Sequence, residues 1–283
     1  MTEAGSYPYD HLIHPLRDDI AAPELPGKAT WVGKDPGKMP VLTAKGPVLV
    51  HFLDYSQLNS VRTLPYLLEW HRRYEPLGLR VLGVQAPRFP FGADPEDAGR
   101  ALDRLGVEFP VLIDDRQLLW TGYGCEGWPS LFLWGRGGIL RWFHFGEGDY
   151  EGTEQAIQEA LKASFENLPE MPEPMAPIRP TDEPGAEMPP PGQELVPFEG
   201  RPWTVEDGTG FDVEYEGGGA YATTEGSGRL RITLDGEPAG EVDVDGPGLY
   251  TLAEHDRHGA HRIGIELEGQ VAIWSVSFAP ALA

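Results

Sequence analysis

Between residues 48 and 165, short apolar runs alternate with stretches whose apolar positions recur every three or four residues. The runs at 48–53, 79–84, 109–113 and 130–134 predict buried strands. Across 60–74, Val61, Leu64, Leu67, Leu68 and His71 share recurring faces, predicting a helix that carries Pro65 inside it. Residues 94–105 read as a second amphipathic helix, with Pro95 suited to its first turn. Gly137 and Gly138 make a tight turn into a hairpin strand at 139–145, and 150–165 closes as a helix. Ahead of this block, 30–42 reads as two short extended pieces, TWVG and MPVL, around a DPGK turn. Strands alternating with helices, then a hairpin and a helix, describe an α/β domain on a mixed central sheet.

The pattern then changes twice. Residues 167–197 are dense in Pro and Glu with no regular apolar period. Proline fixes φ and removes backbone donors, so this stretch predicts a semi-rigid linker of polyproline character lying against one or both domains. From residue 198, segments such as FDVEYEG, RLRITLDG, HRIGIELEG and VAIWSVSF alternate apolar with polar positions and end in Gly or Asp turns. About seven or eight short strands at such spacing predict an all-β antiparallel sandwich. The expected organisation is an N-terminal arm (1–27), the α/β domain (28–166), the linker (167–197) and the sandwich (198–283).

Charge narrows the partners. With 22 Lys and Arg against 45 Asp and Glu, the formal net charge is -23, which repels phosphate backbones and anionic bilayers. Neither nucleic acid nor membrane insertion is expected, since no apolar run is long enough to span a bilayer and the N-terminus has no leader pattern. A cytoplasmic location follows as the simplest expectation. The single cysteine, Cys125, excludes an intramolecular disulfide and a Cys-rich zinc site.

The polar turn after the first strand, at 54–60 (DYSQLNS), sits where open α/β sheets place their sites, at the carboxyl end of a central strand. The segments FLDYSQLNSVRTLPYLLEWHRRYEPLGLRVLGVQAP, LGVEFPVLIDD and YGCEGWPSLFLWGRGGILRWFHFGEGDYEGTEQAIQEAL resemble the thioredoxin-like domain of the DipZ and TlpA group of bacterial proteins, in the AhpC/TSA-redoxin superfamily. The resemblance implies a thioredoxin-like fold, places the family's paired redox cysteines at Gln57 and Ser60, and places its cis-proline at Pro129, after Trp128. Downstream, RLRITLDG, GLYTLAEH, HRIGIEL and VAIWSVSF resemble the carbohydrate-binding-module-like sandwich that follows thioredoxin in DipZ proteins. The membrane-spanning portion of those proteins is not in this sequence, so an electron-relay role is not carried over.

Disulfide exchange needs one thiolate to attack and a second thiol to release the mixed disulfide. Gln57 and Ser60 supply neither. The expectation is therefore a noncatalytic thioredoxin-like protein, a pseudoenzyme without cofactor or metal. In the fold it resembles, the residue before the cis-proline offers backbone hydrogen bonds to an extended peptide. Tyr55, Gln57, Leu58, Asn59, Ser60, Trp128 and Pro129 are the candidate ligand-binding residues, with Trp120 adding aromatic surface. The opposing expectation is that Trp128 packs the pocket shut.

The enzyme alternative is a redoxin-type antioxidant or oxidoreductase working through Cys125 alone. Glu126 is adjacent and no Lys or Arg is close in sequence, which favours an inert thiol. Ser60 with His51 or His144 and Asp54 is not accompanied by the G-x-S-x-G elbow or the oxyanion turn of a serine hydrolase, and Asp54 is expected to satisfy turn amides. Asp114, Asp115, Glu147 and Asp149 read as turn and helix-start carboxylates. Two histidine sets, His11 with His14 and His255, His258 and His261, read as surface residues rather than metal ligands. Trp203, Tyr215, Tyr221, Tyr250 and Trp274 are the candidate sugar platforms, with carbohydrate ranked behind inter-domain packing or protein binding.

Overall fold

A computed structural model describes residues 19–197, 200–207 and 210–283. His11 and His14 lie outside the described residues.

The apolar run Val48–Leu53 (β2) is buried at every position and forms the middle of a six-stranded sheet. It is flanked by β3 (Arg80–Gln85) in parallel and β5 (Ser130–Trp134) antiparallel. β4 (Val111–Ile113) extends the parallel side, β1 (Thr30–Val32) caps it antiparallel, and β6 (Leu140–Phe145) forms the other edge. The order is β1-β4-β3-β2-β5-β6.

Alternation along β2 splits the core in two. Leu49 and Leu53 face α2 (Leu58–Tyr74), α3 (Pro95–Arg104) and α5 (Tyr150–Ser164), where Leu64, Leu67, Trp70, Leu102, Ile157 and Leu161 are buried. Val48, Val50 and Phe52 face α1 (Met39–Lys45) and α4 (Leu118–Gly122), packing with Met39, Leu42 and Leu119. Two elements depart from the sequence reading. MPVL is not extended: Met39 opens α1, Pro40 stands in its first turn where the missing N–H is no loss, and Met39 and Leu42 bury one helical face. α4 has no helical period to reveal it; the Asp114 carboxylate starts it by accepting the N–H groups of Leu118 (2.9 Å) and Trp120 (2.8 Å).

The C-terminal sheet is all-antiparallel, in the order β7-β10-β8-β9: β7 (Trp203–Thr204), β8 (Gly210–Leu234), β9 (Glu237–Asp245) and β10 (Gly248–Ala279). The short strands expected from the sequence are segments of longer ones. β8 and β10 pair in more than one register, so that residues 219–224 lie between 248–254 and 273–279, while 263–266 lie between 210–213 and 231–234. The strands bend from one layer of the sandwich to the other instead of ending, and glycine permits it. At Gly226 φ is +81° and a Cβ would meet the Gln270 carbonyl oxygen at 1.9 Å. Val213, Leu230, Ile232, Ile263, Ile265, Val276 and Phe278 fill the interior.

The Pro/Glu-rich segment is held along its length. Gln158 Nε2 donates to the Pro172 carbonyl (3.0 Å), the Met175 N–H donates to the buried Glu154 carboxylate (2.8 Å), and the Ile178 N–H donates to the Tyr66 oxygen (2.8 Å). Arg179 donates to the Arg62 carbonyl (2.7 Å), Glu147 (3.3 Å) and Tyr150 (3.3 Å), strapping α2 to the start of α5. Beyond it, Leu195 and Val276 exchange two backbone bonds of 2.9 Å, so the end of the segment joins the sandwich.

Candidate functional site

β2 and β3 end side by side, and the turn after β2 is organised by one carboxylate. Asp54, 1% exposed, accepts the Ser56 N–H (2.8 Å) and hydroxyl (2.7 Å) on Oδ1 and the Arg88 N–H (2.7 Å) on Oδ2. These bonds tie the turn to the loop after β3. Asp54 thus satisfies turn amides, as its place in the sequence suggests.

Gln57 is the N-cap of α2. Its Oε1 accepts the Ser60 N–H at 2.8 Å, the bond that a Ser or Asp cap would make. Ser60 is fully buried and its Oγ accepts the Asp54 N–H at 3.2 Å. Both positions are engaged in holding the turn. Neither His51 nor His144 serves Ser60 as a base: both ring nitrogens of His51 and Nε2 of His144 are without a hydrogen-bond partner among the described residues. Burial pushes the His51 imidazole down to about 3, keeping it neutral.

The expected groove contracts. Tyr55 is fully buried, its N–H donating to Gln85 Oε1 (3.1 Å) and its ring set against Phe91. Leu58 is 4% exposed. Both are buried, and neither offers its side chain as a binding surface. Gln57, Asn59 and Trp128 stay half-buried. The Trp128–Pro129 peptide bond is cis. The Trp128 indole donates to the Ala86 carbonyl (2.8 Å) and stacks on Trp120 with centroids 5.3 Å apart. Among the described residues, nothing hydrogen-bonds to the Trp128 peptide N–H or carbonyl.

The central strand of a mixed sheet thus runs into a capped helix, and a cis-proline loop opens the neighbouring antiparallel strand. The chain is 24% identical over 139 residues to the thiol-disulfide oxidoreductase YkuV of Bacillus subtilis, covering 49% of this chain and 93% of that protein. The first domain is thioredoxin-like, of the redoxin superfamily. Protein DipZ of Mycobacterium tuberculosis is 32% identical over 203 residues, 71% of this chain, and this chain spans 27% of that protein's length. A solved structure described as a putative thiol:disulfide interchange protein DsbE from Chlorobium tepidum aligns with 52% of this chain and 99% of its own at 26% identity, with a TM-score of 0.44. No family model matches.

Cys125 is 5% exposed; burial pushes its pKa up to about 12, with the Asp114 charge adding to the effect. Burial therefore does what the sequence reading assigned to Glu126, which is exposed.

What the sequence did not indicate is that the sandwich reaches this turn. The Thr223 hydroxyl donates to the Ser56 carbonyl at 2.7 Å. Trp274 packs on Phe89 and Phe91 (5.1 and 6.1 Å between centroids) in the loop after β3. Arg88 forks onto Glu194 with bonds of 2.9 and 2.8 Å, and Glu194 also accepts the Ser277 hydroxyl (3.0 Å). Arg104 donates to the Pro247 carbonyl and lies 5.7 Å over the Tyr250 ring. Two sequence signals bear on these contacts: the inter-domain packing weighed for Trp274 and Tyr250, and RFPF (88–91), an apolar run in a loop.

Of the candidate sugar platforms, Trp274 and Tyr250 face the thioredoxin-like domain, Tyr215 is buried against Phe278, and Trp203 packs at a tilt on Phe211. Tyr221 donates to Glu254. In the histidine cluster, which lies within β10 and not in a loop, His255 and His261 stack at 3.8 Å, one bonded to Tyr215 (2.8 Å) and the other to Asp235 (3.1 Å). Ring against ring, they do not converge on a point, and the described residues hold no group of three metal-ligating side chains. No helix among the described residues is long and apolar enough to cross a membrane.

Proposed function

We propose that this chain is a noncatalytic, DipZ-like member of the thioredoxin-like proteins, which docks an extended peptide along the Trp128–Pro129 edge. The observation that carries the first half is the Gln57 side chain: where the resemblance puts a nucleophile, it caps α2 by accepting the Ser60 N–H. The peptide half rests on the unengaged Trp128 backbone beside a Trp120–Trp128 stack, a short strip to which a strand can add. A thiol route through Cys125 loses support to its burial and raised pKa. The DipZ match extends beyond the length of the first domain, which supports descent of the two-domain arrangement from a common source.

In a dithiothreitol-driven insulin reduction assay, the protein should not exceed the uncatalysed rate. Turnover that disappears in Cys125→Ser would sink the noncatalytic reading. S-carboxymethylated insulin B chain, an extended peptide without free thiols, should bind in a calorimetric titration, and Trp128→Ala, which removes the stack and keeps the backbone groups, should weaken the binding.

A cysteine pair introduced as Gln57→Cys with Ser60→Cys should oxidise to a disulfide, because the side chain at 57 already points back at residue 60. Thiol titration of the oxidised, denatured variant should then find only Cys125. Persistence of all three thiols after oxidation would refute the assignment of these positions.

A further inference from the structure

The docking edge is one side of a wider face formed by the ends of β2 and β3, and the other side is already occupied. Thr223, 1% exposed, fills the Ser56 carbonyl with its hydroxyl. Ser56 is one residue from the α2 cap, and the Trp128 indole reaches over to Ala86, in the same loop that carries Arg88 and Phe89. The covered and open parts of the face are therefore contiguous.

Arg88 and Arg104 of the thioredoxin-like domain meet Glu194 and Asp245 of the linker and sandwich, at 2.8 and 3.6 Å, around the Trp274 contact. The Arg88–Glu194 pair is a two-pronged fork between partly buried groups, the strong form of such a bond. The Arg88 guanidinium and the Arg88 N–H act on opposite sides of one residue: the first holds Glu194, the second holds Asp54 at the turn. In a chain of net charge -23, mutual repulsion works against closure, and these cations offset it beside the Trp274 packing on Phe89 and Phe91.

We propose that the sandwich is a built-in cover for the docking face, latched by Arg88 and Glu194, and that an incoming peptide strand competes with Thr223 for the Ser56 carbonyl. The proposal rests on the docking reading above and names its regulation: apparent affinity is reduced by the fraction of time the cover is shut.

The test uses the full chain, as Glu194→Arg, as the charge-swapped Arg88→Glu with Glu194→Arg, and as Thr223→Val, which removes the hydroxyl without changing charge. Hydrogen–deuterium exchange across 54–60 and 86–93 reads opening directly; titration with S-carboxymethylated insulin B chain reads the competition. Glu194→Arg and Thr223→Val should each raise exchange and tighten peptide binding, by about five-fold or more for Glu194→Arg, and the charge swap should return both toward the parent protein. Unchanged exchange in both single variants overturns the cover. Raised exchange with peptide affinity equal to that of the parent overturns the competition. Raised exchange with no peptide bound by any of the proteins overturns the docking reading itself, and the competition with it.

Discussion

Exchanging His51 for leucine should stabilise the protein by about 2 kcal/mol at neutral pH and flatten its response to acid. His51 lies in β2, fully buried, between Leu49 and Leu53 on the face that packs against α2 and α5, and neither ring nitrogen has a partner among the described residues. A buried polar group left unsatisfied costs about 1–3 kcal/mol, and leucine removes that cost while roughly conserving volume. The acid response follows from linkage. Burial lowers the folded-state pKa from 6.5 to about 3, so between these values the unfolded chain binds a proton that the folded chain does not. The neutral imidazole's contribution is therefore intact above pH 6.5 and is lost as pH falls toward 3, reaching about 4 kcal/mol by pH 3.5. Urea denaturation at pH 7, 5 and 4 should show parent and His51→Leu diverging as the pH drops. Parallel curves would contradict this placement of His51.

The second large effect is expected at Arg179, where alanine should cost about 3 kcal/mol and free the strap. Its guanidinium faces Glu147, Asp182, the Tyr150 hydroxyl and the Arg62 carbonyl. Asp182 is 5% exposed at its side chain, and burial raises the Glu147 carboxyl despite the two guanidiniums beside it. Removing Arg179 leaves these carboxyls short of a counter-charge in a desolvated place. Lysine should rescue little, because one ammonium cannot meet four acceptors lying in different directions. Denaturation midpoints measure the cost; cleavage by a glutamate-specific protease at Glu187 should accelerate in Arg179→Ala and stay slow in the parent. An unchanged cleavage rate would mean that the other bonds hold the segment without Arg179.

The sheet and its principal helices were legible because burial on both faces writes itself as an uninterrupted apolar run, as in VLVHFL, and burial on one face as a recurring stripe, as in α2. The cis bond before Pro129 was carried by the resemblance. Three kinds of information were not in the pattern. Short helices escape it: α1 and α4 are fixed by a proline in the first turn and by one capping carboxylate, not by a period. Direction at a turn escapes it, since Tyr55 and Leu58 are apolar whether they line a groove or, as they do, the core. Contacts between distant parts escape it most. Thr223 and Glu194 are ordinary polar residues of a strand and a linker until the fold brings them to Ser56 and Arg88.

The two reciprocal bonds between Leu195 and Val276 bear on how such a protein can be assembled or taken apart. The Gly192 N–H likewise donates to the Glu216 carbonyl at 2.7 Å. A cut at residue 198, the point where the alternating pattern begins, would strip the sandwich of a paired flank and take away the carboxylate that grips Arg88. The smallest piece that could be transplanted to another scaffold with its grip on a thioredoxin-like partner intact begins near Pro190. The polyproline stretch before it is the natural splice point, because its backbone has few donors to leave stranded.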